Sequence, residues 1–388
     1  MDPSSYLSLT SLALLVISTL TLALTCIYVS VIFFLRKGWS SIPVFRQGGG
    51  VLQTKVSILI AARNEEAKIA LTIEDILAQS YPAELIELII VDDHSTDRTS
   101  DIILSYKEKG VRLIRLNEKE KLNSYKKKAI AEAINLASGE LIITTDADCR
   151  MKAGWIKTVV SFYQETGSKL ISSPVVYHQE KSFFERLQTL EFLYLIGLGA
   201  SSIGNKMPST CNGANLAYRK DVFLELGGFK GIDELASGDD ELFLHKVASR
   251  YPDRIGFCKS TDAIVYTDAK ESLPEFISQR KRWASKSTRY KDKKIVALGV
   301  AIWLFNLMIF ANVLLGLYLA DLWIIALVAI TLKYISEMFF LNPVTAFAKR
   351  SELMKYLPLL TVIHVVYIIY IGIAGNSGKY IWKGRLVR

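Results

Sequence analysis

The most constraining feature of this chain is a regular alternation of strand-like and helix-like segments over residues 56–145. Four short runs rich in isoleucine, leucine and valine predict buried β-strands, and the segments between them predict α-helices. Because the strands are apolar on both faces, the pattern favours an α/β fold with a mostly parallel, doubly wound, Rossmann-like sheet. The predicted strands are Val56–Ala61, Leu85–Val91, Val111–Leu116 and Leu141–Thr145, and the predicted helices are Ala67–Gln79, Thr96–Lys109 and Lys126–Ala137.

Polar side chains stand at the ends of three of these strands. Asn64 comes after the first strand, Asp92 and Asp93 after the second, and Asp146 and Asp148 after the fourth. In open parallel sheets, ligands bind outside the carboxyl ends of the strands. We therefore expect these five side chains to share one edge of the sheet.

Two further polar motifs come later in the chain. A glycine precedes the acidic pair Asp239-Asp240, and Gln279-x-x-Arg282-Trp283 lies just before the C-terminal apolar region. The acidic pair also fits an ordinary helix start, since acidic side chains favour helix N-termini. Carboxylates at strand ends can bind a divalent cation, which in turn chelates a phosphate ligand. Because apolar segments adjoin this region, we expect such a site to lie beside a bilayer.

Apolar runs at both ends of the chain are long enough to cross a bilayer. The N-terminal run, Leu7–Leu35, has no charged residue; Asp2 precedes it, and Arg36 and Lys37 follow it. This charge order is the reverse of a signal peptide and predicts a retained anchor, with the N-terminus outside and Arg36 in the cytoplasm. Three more apolar runs follow Trp283, and they are Ile295–Leu319, Leu322–Leu341 and Tyr356–Ala374.

The middle C-terminal run, Leu322–Leu341, contains Lys333 and Glu337, which are one helical turn apart. These charges would be costly facing lipid, so they indicate either a buried ion pair in a helix bundle or an interfacial helix. The tail after Asn376 has four basic residues and no acid, which favours the cytoplasmic side. We therefore predict a cytoplasmic C-terminus, with the middle run re-entrant or interfacial.

The charge distribution argues against a nucleic-acid-binding protein, and the spacing of cysteine and histidine argues against a disulfide framework or a zinc site. The formal net charge is +9, but residues 36–55, 280–294 and 377–388 carry +4, +7 and +4, which leaves −6 on the rest. Basic segments beside apolar spans are expected near anionic lipid, so the charge does not indicate a nucleic-acid partner. The four cysteines and four histidines lack the spacing of a disulfide framework or a zinc site.

Together, the motifs over about residues 55–289 resemble those of a glycosyltransferase family 2 domain with the GT-A fold. Gln279-x-x-Arg282-Trp283 is similar to the motif of membrane-integrated members such as chitin, cellulose, hyaluronan and poly-N-acetylglucosamine synthases, and ceramide glucosyltransferases. One departure is that Tyr125-Lys126 keeps the lysine but not the glycine of the common Gly-Lys loop. The other matched pieces are Arg63-Asn64-Glu65-Glu66, Asp92-Asp93-x-Ser95, the DXD motif Asp146-Ala147-Asp148, Asn212-Gly213-Ala214-Asn215, Gly227-Gly228-Phe229, and Asp239-Asp240 in place of Glu-Asp.

The resemblance implies a set of residues that bind a nucleotide-sugar donor. It implies that Asp148, with Asp146, binds Mg²⁺ or Mn²⁺, and that Lys126 and Arg282 contact the diphosphate. The alternative for the Asp92-Asp93 turn is simple capping of the following helix. The implied donor-binding residues are Asn64, Glu65, Asp92, Asp93, Lys126, Asp146 and Arg282.

The resemblance also implies an inverting sugar transfer. It assigns Asp240 as the base that takes the proton from the attacking acceptor hydroxyl. Trp283 is implied to form a stacking wall for the acceptor sugar. The implied acceptor-side or structural residues are Asn215, Asp239, Gln279 and Trp283.

The expected function is therefore transfer from a nucleotide-sugar, taken to be UDP-linked, to a membrane lipid or lipid-linked glycan on the cytoplasmic face of the cell membrane. Two alternatives remain open: a processive polysaccharide synthase, and a non-catalytic membrane scaffold or export subunit. The oligomeric state cannot be predicted from the sequence.

The predicted domain organisation has four parts. They are an anchor (residues 1–37), a linker (38–54), a GT-A domain (55–290), and C-terminal transmembrane or interfacial helices with a basic tail (291–388). Apolar side chains at helical spacing over residues 183–194 indicate either core packing or a membrane surface that guides a lipid acceptor.

Overall fold

The computed structural model describes residues 3–50, 52–117, 124–234, 237–286, 292–375, 380–382 and 385–387. The chain divides into two units. Met1–Lys37 and Gln279–Gly378 form the helical unit, and Gly38–Ser278 with Lys379–Arg388 form the sheet unit.

In chain order, the α-helices are α1 (Pro3–Ser41), α2 (Ile69–Leu77), α3 (Thr99–Leu104), α4 (Tyr125–Leu136), α5 (Trp155–Thr166), α6 (Phe183–Gly204), α7 (Lys220–Glu225), α8 (Glu241–Arg250), α9 (Leu273–Ala284), α10 (Lys293–Leu315), α11 (Asp321–Phe347) and α12 (Leu357–Gly375). The β-strands are β1 (Val56–Ala62), β2 (Ile86–Asp92), β3 (Arg112–Arg115), β4 (Leu141–Asp146), β5 (Arg150–Met151), β6 (Leu170–Ser172), β7 (Val175–Tyr177), β8 (Leu216–Arg219), β9 (Ile255–Phe257), β10 (Val265–Thr267), β11 (Tyr380–Trp382) and β12 (Arg385–Val387).

The sheet unit is built on a seven-stranded, mostly parallel sheet with the order β3-β2-β1-β4-β8-β6-β9. Strands β3, β2, β1 and β4 are parallel, whereas β8 runs antiparallel to both β4 and β6. A second, three-stranded sheet has the order β5-β10-β7. The predicted α/β fold is confirmed, and each of the four predicted strands is present.

One helix differs from its predicted bounds by more than two residues at each end. The segment predicted as a helix over Thr96–Lys109 contains only the short α3, followed by a 3₁₀ turn at Lys107–Lys109. Asp97 Oδ1 accepts hydrogen bonds from the backbone N–H of Thr99, at 3.0 Å, and from its hydroxyl, at 2.6 Å. The helix therefore begins after this side-chain cap, three residues later than predicted.

Helix α6 contains the apolar residues for which the sequence left two interpretations. Leu190 and Leu193 are buried, and the ring of Phe192 stacks on that of Tyr177 at 4.3 Å between centroids. Phe183, at the start of the helix, is 47 % exposed. The middle of the helix therefore contributes to the core, and the exposed Phe183 lies in its first turn.

The helical unit contains α10, α11, α12 and most of α1. Four segments of the described chain are long and apolar enough to cross a membrane: Ser11–Ser41, Lys293–Leu315, Asp321–Phe347 and Ser351–Gly375. Helix α11 is continuous through the predicted re-entrant run, so the structure shows no break of the kind that a re-entrant segment requires. Whether α11 crosses a membrane remains a prediction.

The pair Lys333–Glu337 is buried inside the helical unit, as the first of the two sequence interpretations has it. The basic tail on which the cytoplasmic C-terminus was predicted lies largely outside the described residues, at Lys379, Lys383 and Arg388. That prediction also remains untested.

Candidate active site

The topology of the sheet brings the acidic motifs to one edge. In the β1–β2 pairing Ala62 lies opposite Asp92, and in the β1–β4 pairing Ala61 lies opposite Asp146. Strand β8 is antiparallel to β4, with Leu216 opposite Thr144. An antiparallel strand begins at the edge where its parallel neighbours end, so the turn before β8 reaches the same place.

The turn after β1 is held by hydrogen bonds to the turn after β2. Asn64 has a left-handed backbone with φ of 51°, which asparagine tolerates better than most residues. Its Oδ1 accepts from the Thr96 N–H at 2.8 Å, and its own N–H donates to Ser95 Oγ at 3.0 Å. The Glu65 N–H donates to Thr99 Oγ1 at 2.7 Å. These bonds place Asn64 and Glu65 next to the acidic turn.

Asp92 and Asp93 are both buried, with 5 % and 1 % exposure. The Asp92 carboxylate accepts from the Ser95 N–H at 3.2 Å and from the Ser100 hydroxyl at 2.8 Å. Asp93 Oδ1 lies 3.0 Å from His94 Nδ1. Asp92 thus stabilises its own turn and binds a side chain of α3, and its role in donor binding remains a prediction.

Arg63 was matched only as part of a motif, and its side chain has a specific structural role. Its guanidinium donates to the carbonyls of Asp93 and His94, at 2.7 and 3.0 Å. The two turns at the ends of β1 and β2 are therefore fastened together by a side chain as well as by the sheet.

Lys126, near the N-terminus of α4, joins two of the acidic motifs. Its ammonium lies 2.8 Å from Asp146 Oδ1 and 3.6 Å from Asp239 Oδ2. Burial opposes the charged form, but Asp146 and Asp239 outweigh that effect and raise the pKa of Lys126 above its usual value. The side chain is therefore a permanent cation between the end of β4 and the loop that precedes α8.

The Asp146–Asp148 turn is held from behind by α2. Thr72, which is fully buried, donates its hydroxyl hydrogen between the carbonyls of Ala147 and Cys149, at 2.9 and 2.8 Å. Thr72 could not be predicted from the sequence, because a threonine on the buried face of an amphipathic helix has no pattern that marks it. The two aspartates are consequently presented on a turn whose backbone is fixed.

The donor atoms of this turn fit a divalent metal ion that is shared with a phosphate. In the described part of the chain, no group of three histidine, cysteine, aspartate or glutamate side chains is arranged to hold a metal by itself. Mg²⁺ is commonly held by one or two carboxylates together with phosphate and water oxygens. Asp146 and Asp148, which are partly exposed, match that arrangement.

Asp240 caps the N-terminus of α8. Its Oδ1 accepts from the Glu241 N–H at 2.7 Å, and its Oδ2 accepts from the Gly213 N–H at 2.9 Å. A Cβ at Gly213 would lie 3.3 Å from the Asp240 side chain, so a larger residue would make a tight contact here. Gly238, two residues before Asp240, has φ of 84°, which side-chain-bearing residues rarely adopt.

Asn215 has a structural position. Its side chain accepts from Trp155 Nε1 at 3.0 Å and donates to the carbonyls of Pro174 and Ala263, at 2.8 and 2.7 Å. It is 1 % exposed. These contacts join the turn before β8 to α5 and to the second sheet.

Gln279, Arg282 and Trp283 lie on the last turns of α9 and belong to the helical unit. Between them, Arg280 is 2 % exposed, donates to Gln279 Oε1 and has its guanidinium 4.3 Å from the centroid of the Trp283 ring. The buried arginine of this segment is therefore Arg280, which occupies a variable position of the motif, and not Arg282. The donor and acceptor roles assigned to Gln279, Arg282 and Trp283 remain predictions.

The chain is similar in sequence to known glycosyltransferases. A probable glycosyltransferase, YdaM, of Bacillus subtilis strain 168 is 26% identical over 262 residues, which cover 66% of this chain and 60% of that protein. A glucosyl-dolichyl phosphate glucuronosyltransferase of Haloferax volcanii is 27% identical over 185 residues, covering 45% of this chain and 56% of that protein. The chain thus spans less than two thirds of the length of these relatives.

A solved structure has the same fold. The mannosyltransferase PcManGT of Pyrobaculum calidifontis, solved in complex with GDP-Man and Mn²⁺, superposes with a TM-score of 0.56 at 16% sequence identity, covering 90% of this chain and 99% of that one. Residues 57–227, which include β1, the DXD turn and β8, match the family model described as Glycosyl transferase family 2. This part of the chain is therefore similar to a glycosyltransferase family 2 domain, and the chain has the GT-A fold.

Proposed function

We propose that the protein is an inverting glycosyltransferase that moves a sugar from a nucleotide-sugar, UDP-linked, to a membrane lipid or lipid-linked glycan. The observation that supports this most is the position of Lys126. Its ammonium lies between Asp146 and Asp239, and Asp239 is the neighbour of Asp240. A fixed positive charge at this position would stabilise a diphosphate leaving group. The diphosphate would then lie next to the Asp146–Asp148 turn, and its sugar would face the candidate base, Asp240.

The nucleoside binds at the turns after β1 and β2 in this proposal. Asn64, Glu65, Asp92 and Asp93 form these turns, and their hydrogen bonds with Arg63, Ser95 and Ser100 keep them in place before the donor arrives. Preorganised turns reduce the entropy that binding has to offset. Arg282 is proposed to contact the diphosphate from α9.

Asp148 and Asp146 would hold the divalent metal ion, Mg²⁺ or Mn²⁺. When bound, the metal ion would neutralise charge on the departing nucleoside diphosphate. Lys126 contributes a further positive charge on the Asp146 side. Thr72 holds the backbone of this turn through its bonds to the carbonyls of Ala147 and Cys149.

Asp240 acts as the general base. The acceptor hydroxyl oxygen forms a bond to the anomeric carbon as the bond from that carbon to the diphosphate oxygen breaks, and the electron pair leaves with the diphosphate. Asp240 takes the hydroxyl proton. One of its oxygens accepts the Gly213 N–H and the other accepts the Glu241 N–H, which orients the carboxylate.

A lipid acceptor is supported by two observations. The described chain has four helices apolar and long enough to cross a membrane. In addition, a relative's name includes a glucosyl-dolichyl phosphate. Gln279 and Trp283 are proposed to line the acceptor side, as in membrane-integrated members with a Gln-x-x-Arg-Trp motif.

The test is sugar transfer by the full-length protein purified in detergent with Mn²⁺. UDP-glucose, UDP-N-acetylglucosamine and GDP-mannose are supplied separately, with a total lipid extract as acceptor, and nucleotide release and new lipids are measured by mass spectrometry. We expect release with a UDP-sugar and a single-sugar lipid product. A long polymer would identify a processive synthase. No transfer with any donor would leave the scaffold alternative and overturn the proposal.

The catalytic domain is proposed to lie in the cytoplasm of a multi-pass membrane protein. The support is the order of charges around the first apolar run, with Arg36 and Lys37 following it. Reporter fusions at Arg350 and Arg388 test the arrangement of the C-terminal helices. A cytoplasmic signal at Arg388 agrees with the proposal, whereas an external signal there means that three C-terminal helices cross.

A further inference from the structure

Helix α4 has three consecutive lysines in three different environments. Lys126 contacts the acidic cluster, as described above. Lys128 is 44 % exposed and pairs with Glu132, one turn along the same helix, at 3.0 Å. Lys127 is only 2 % exposed, and neither the family motifs nor the proposed reaction uses it.

The Lys127 ammonium is bound to a distant loop. It donates to the carbonyl oxygen of Ile232 at 2.7 Å and to that of Ser237 at 2.9 Å. Burying an ammonium is costly unless its hydrogen bonds are made, and an apolar side chain would fill the same space without that cost. The lysine is therefore explained by the two carbonyls that it binds rather than by packing.

These carbonyls belong to the loop that leads into Asp239 and Asp240. Ser237 is two residues before Asp239, and Gly238 between them has the left-handed backbone described above. The earlier part of the same loop is held from α8, where Lys246 donates to the carbonyls of Gly228 and Lys230, at 2.6 and 3.0 Å. Lys127 on α4 and Lys246 on α8 thus both bind backbone carbonyls that precede the candidate base, Asp240.

We infer that Lys127 is a positioning residue, which holds the backbone carbonyls of Ile232 and Ser237 so that Asp240 is aligned for proton abstraction. The inference rests on the proposed function, because it gives Lys127 a purpose only if Asp240 is the base. Since Lys126 is the adjacent residue of the same helix, one turn of α4 sets both the cation at the diphosphate and the loop of the base. A misplacement of the order of 1 Å can cost about 10²-fold in rate.

The first experiment measures the loop directly. Amide hydrogen exchange is followed in full-length protein for peptides covering residues 228–241, in Lys127→Met and in the matched control Lys128→Met. We expect exchange in this segment to become about 10-fold faster in Lys127→Met, because two charge-assisted hydrogen bonds are lost. The exposed Lys128→Met should be indistinguishable from wild type. Equal exchange in all three proteins would overturn the inference.

The second experiment separates alignment from general damage. In Lys127→Met, we expect kcat to fall about 10–100-fold, while donor affinity and the number of donor sites per protein stay within about 3-fold of wild type. A partly unfolded variant would instead lose donor sites in parallel with kcat, and that result would contradict positioning. Lys127→Gln keeps donor hydrogens on a shorter side chain, so its kcat should lie between those of Lys127→Met and wild type.

Lys127→Gln also carries the test if Lys127→Met does not give monodisperse protein. In that case, wild-type exchange and wild-type kcat in Lys127→Gln would overturn the inference, and a change in both would support it. If the wild-type protein itself transfers no sugar, the proposed function and the catalytic part of the inference fail together. The exchange contrast then decides separately whether Lys127 holds the loop.

Discussion

Each unit of the molecule has a lysine bound to carboxylates, and the two clusters differ in almost every respect. In the helical unit, Lys333 and Glu337 are 0 % and 4 % exposed. In the sheet unit, the side chains of Lys126, Asp146 and Asp239 are 24 %, 41 % and 19 % exposed. One cluster is sealed, and the other is open to a ligand.

The helical-unit cluster is satisfied by the protein alone. Glu337 accepts from Lys333, from the Tyr28 hydroxyl at 2.6 Å and from the Thr361 hydroxyl at 2.8 Å. These partners come from α1, α11 and α12, so the carboxylate ties three helices together. Breaking a buried, fully bonded ion pair by removing one partner destabilises the protein.

The sheet-unit cluster brings several carboxylates together at the edge of the sheet. The carboxylates come from two separate parts of the chain, and they are Asp146, Asp148, Asp239 and Asp240. The Lys126 ammonium lies between Asp146 and Asp239. Grouped carboxylates at an open edge are typical of sites that bind a cation and its ligand. The comparison therefore predicts loss of activity from changes in one cluster and loss of stability from changes in the other.

The largest expected effect is on the open cluster, through its metal. Excess chelator should abolish sugar transfer, and Asp148→Asn should do the same in the presence of Mn²⁺, because a neutral amide is a poor ligand for a hard cation. Nucleotide release by the purified protein measures both. Full activity in excess chelator would contradict the metal assignment. It would also contradict the interpretation of the sheet-unit cluster as a site for a cation and its ligand.

The next effect separates chemistry from binding within the same cluster. Asp240→Asn should lower kcat by roughly 10²–10⁴-fold and leave donor affinity nearly unchanged, because a base acts on the acceptor proton. Asp93→Ala should instead weaken donor affinity first. Titration calorimetry with the nucleotide and steady-state rates distinguish the two. Near-normal turnover in Asp240→Asn would place the base elsewhere, with Asp239 and Glu241 next to be tested.

The sealed cluster should respond in stability. Glu337→Gln leaves the Lys333 ammonium buried without its counter-charge, which is expected to cost about 3–5 kcal/mol in the free energy of unfolding. The double variant Lys333→Met, Glu337→Leu should recover most of that loss, since a buried pair can often be replaced by apolar side chains. Thermal unfolding in detergent measures both. A Glu337→Gln protein of normal stability would show that this pair does not hold the helices.

The smallest expected effect concerns the cation of the open cluster. Lys126→Met should weaken nucleotide-sugar affinity about 10-fold, the loss expected for one hydrogen bond to a charged group. Lys128→Met is the control, because its ammonium faces solvent and Glu132. Equal affinities in the two variants would mean that Lys126 serves the folded structure and not the donor.

Much of the fold and part of the site could be predicted because they depend on local pattern. Apolar runs define β1, β2, β3 and β4, and the parallel arrangement then places Asp92 and Asp146 at one edge. Residues whose role depends on a distant backbone could not be predicted. Thr72 binds carbonyls 75 and 77 residues away, and Lys127 binds carbonyls 105 and 110 residues away. No periodicity records such partners.

The sequence also left Asn215 and Lys333 ambiguous for a physical reason. An asparagine in a turn has the same local signature whether its amide faces a substrate or, as here, Trp155 and two carbonyls. A lysine within an apolar helix is compatible with burial or with an interface, and only the positions of Tyr28 and Thr361 decide between them.

The run of lysines in α4 has a consequence for the way such chains can diverge. Successive side chains leave an α-helix about 100° apart, so a shift of one residue in the register of α4 would turn every lysine towards its neighbour's surroundings. Composition, net charge and helix propensity would stay almost the same. The donor-side cation, the loop contact and the solvent-facing pair would nevertheless all be lost at once. An alignment of α4 with a distant relative is therefore informative only if it is correct to the residue.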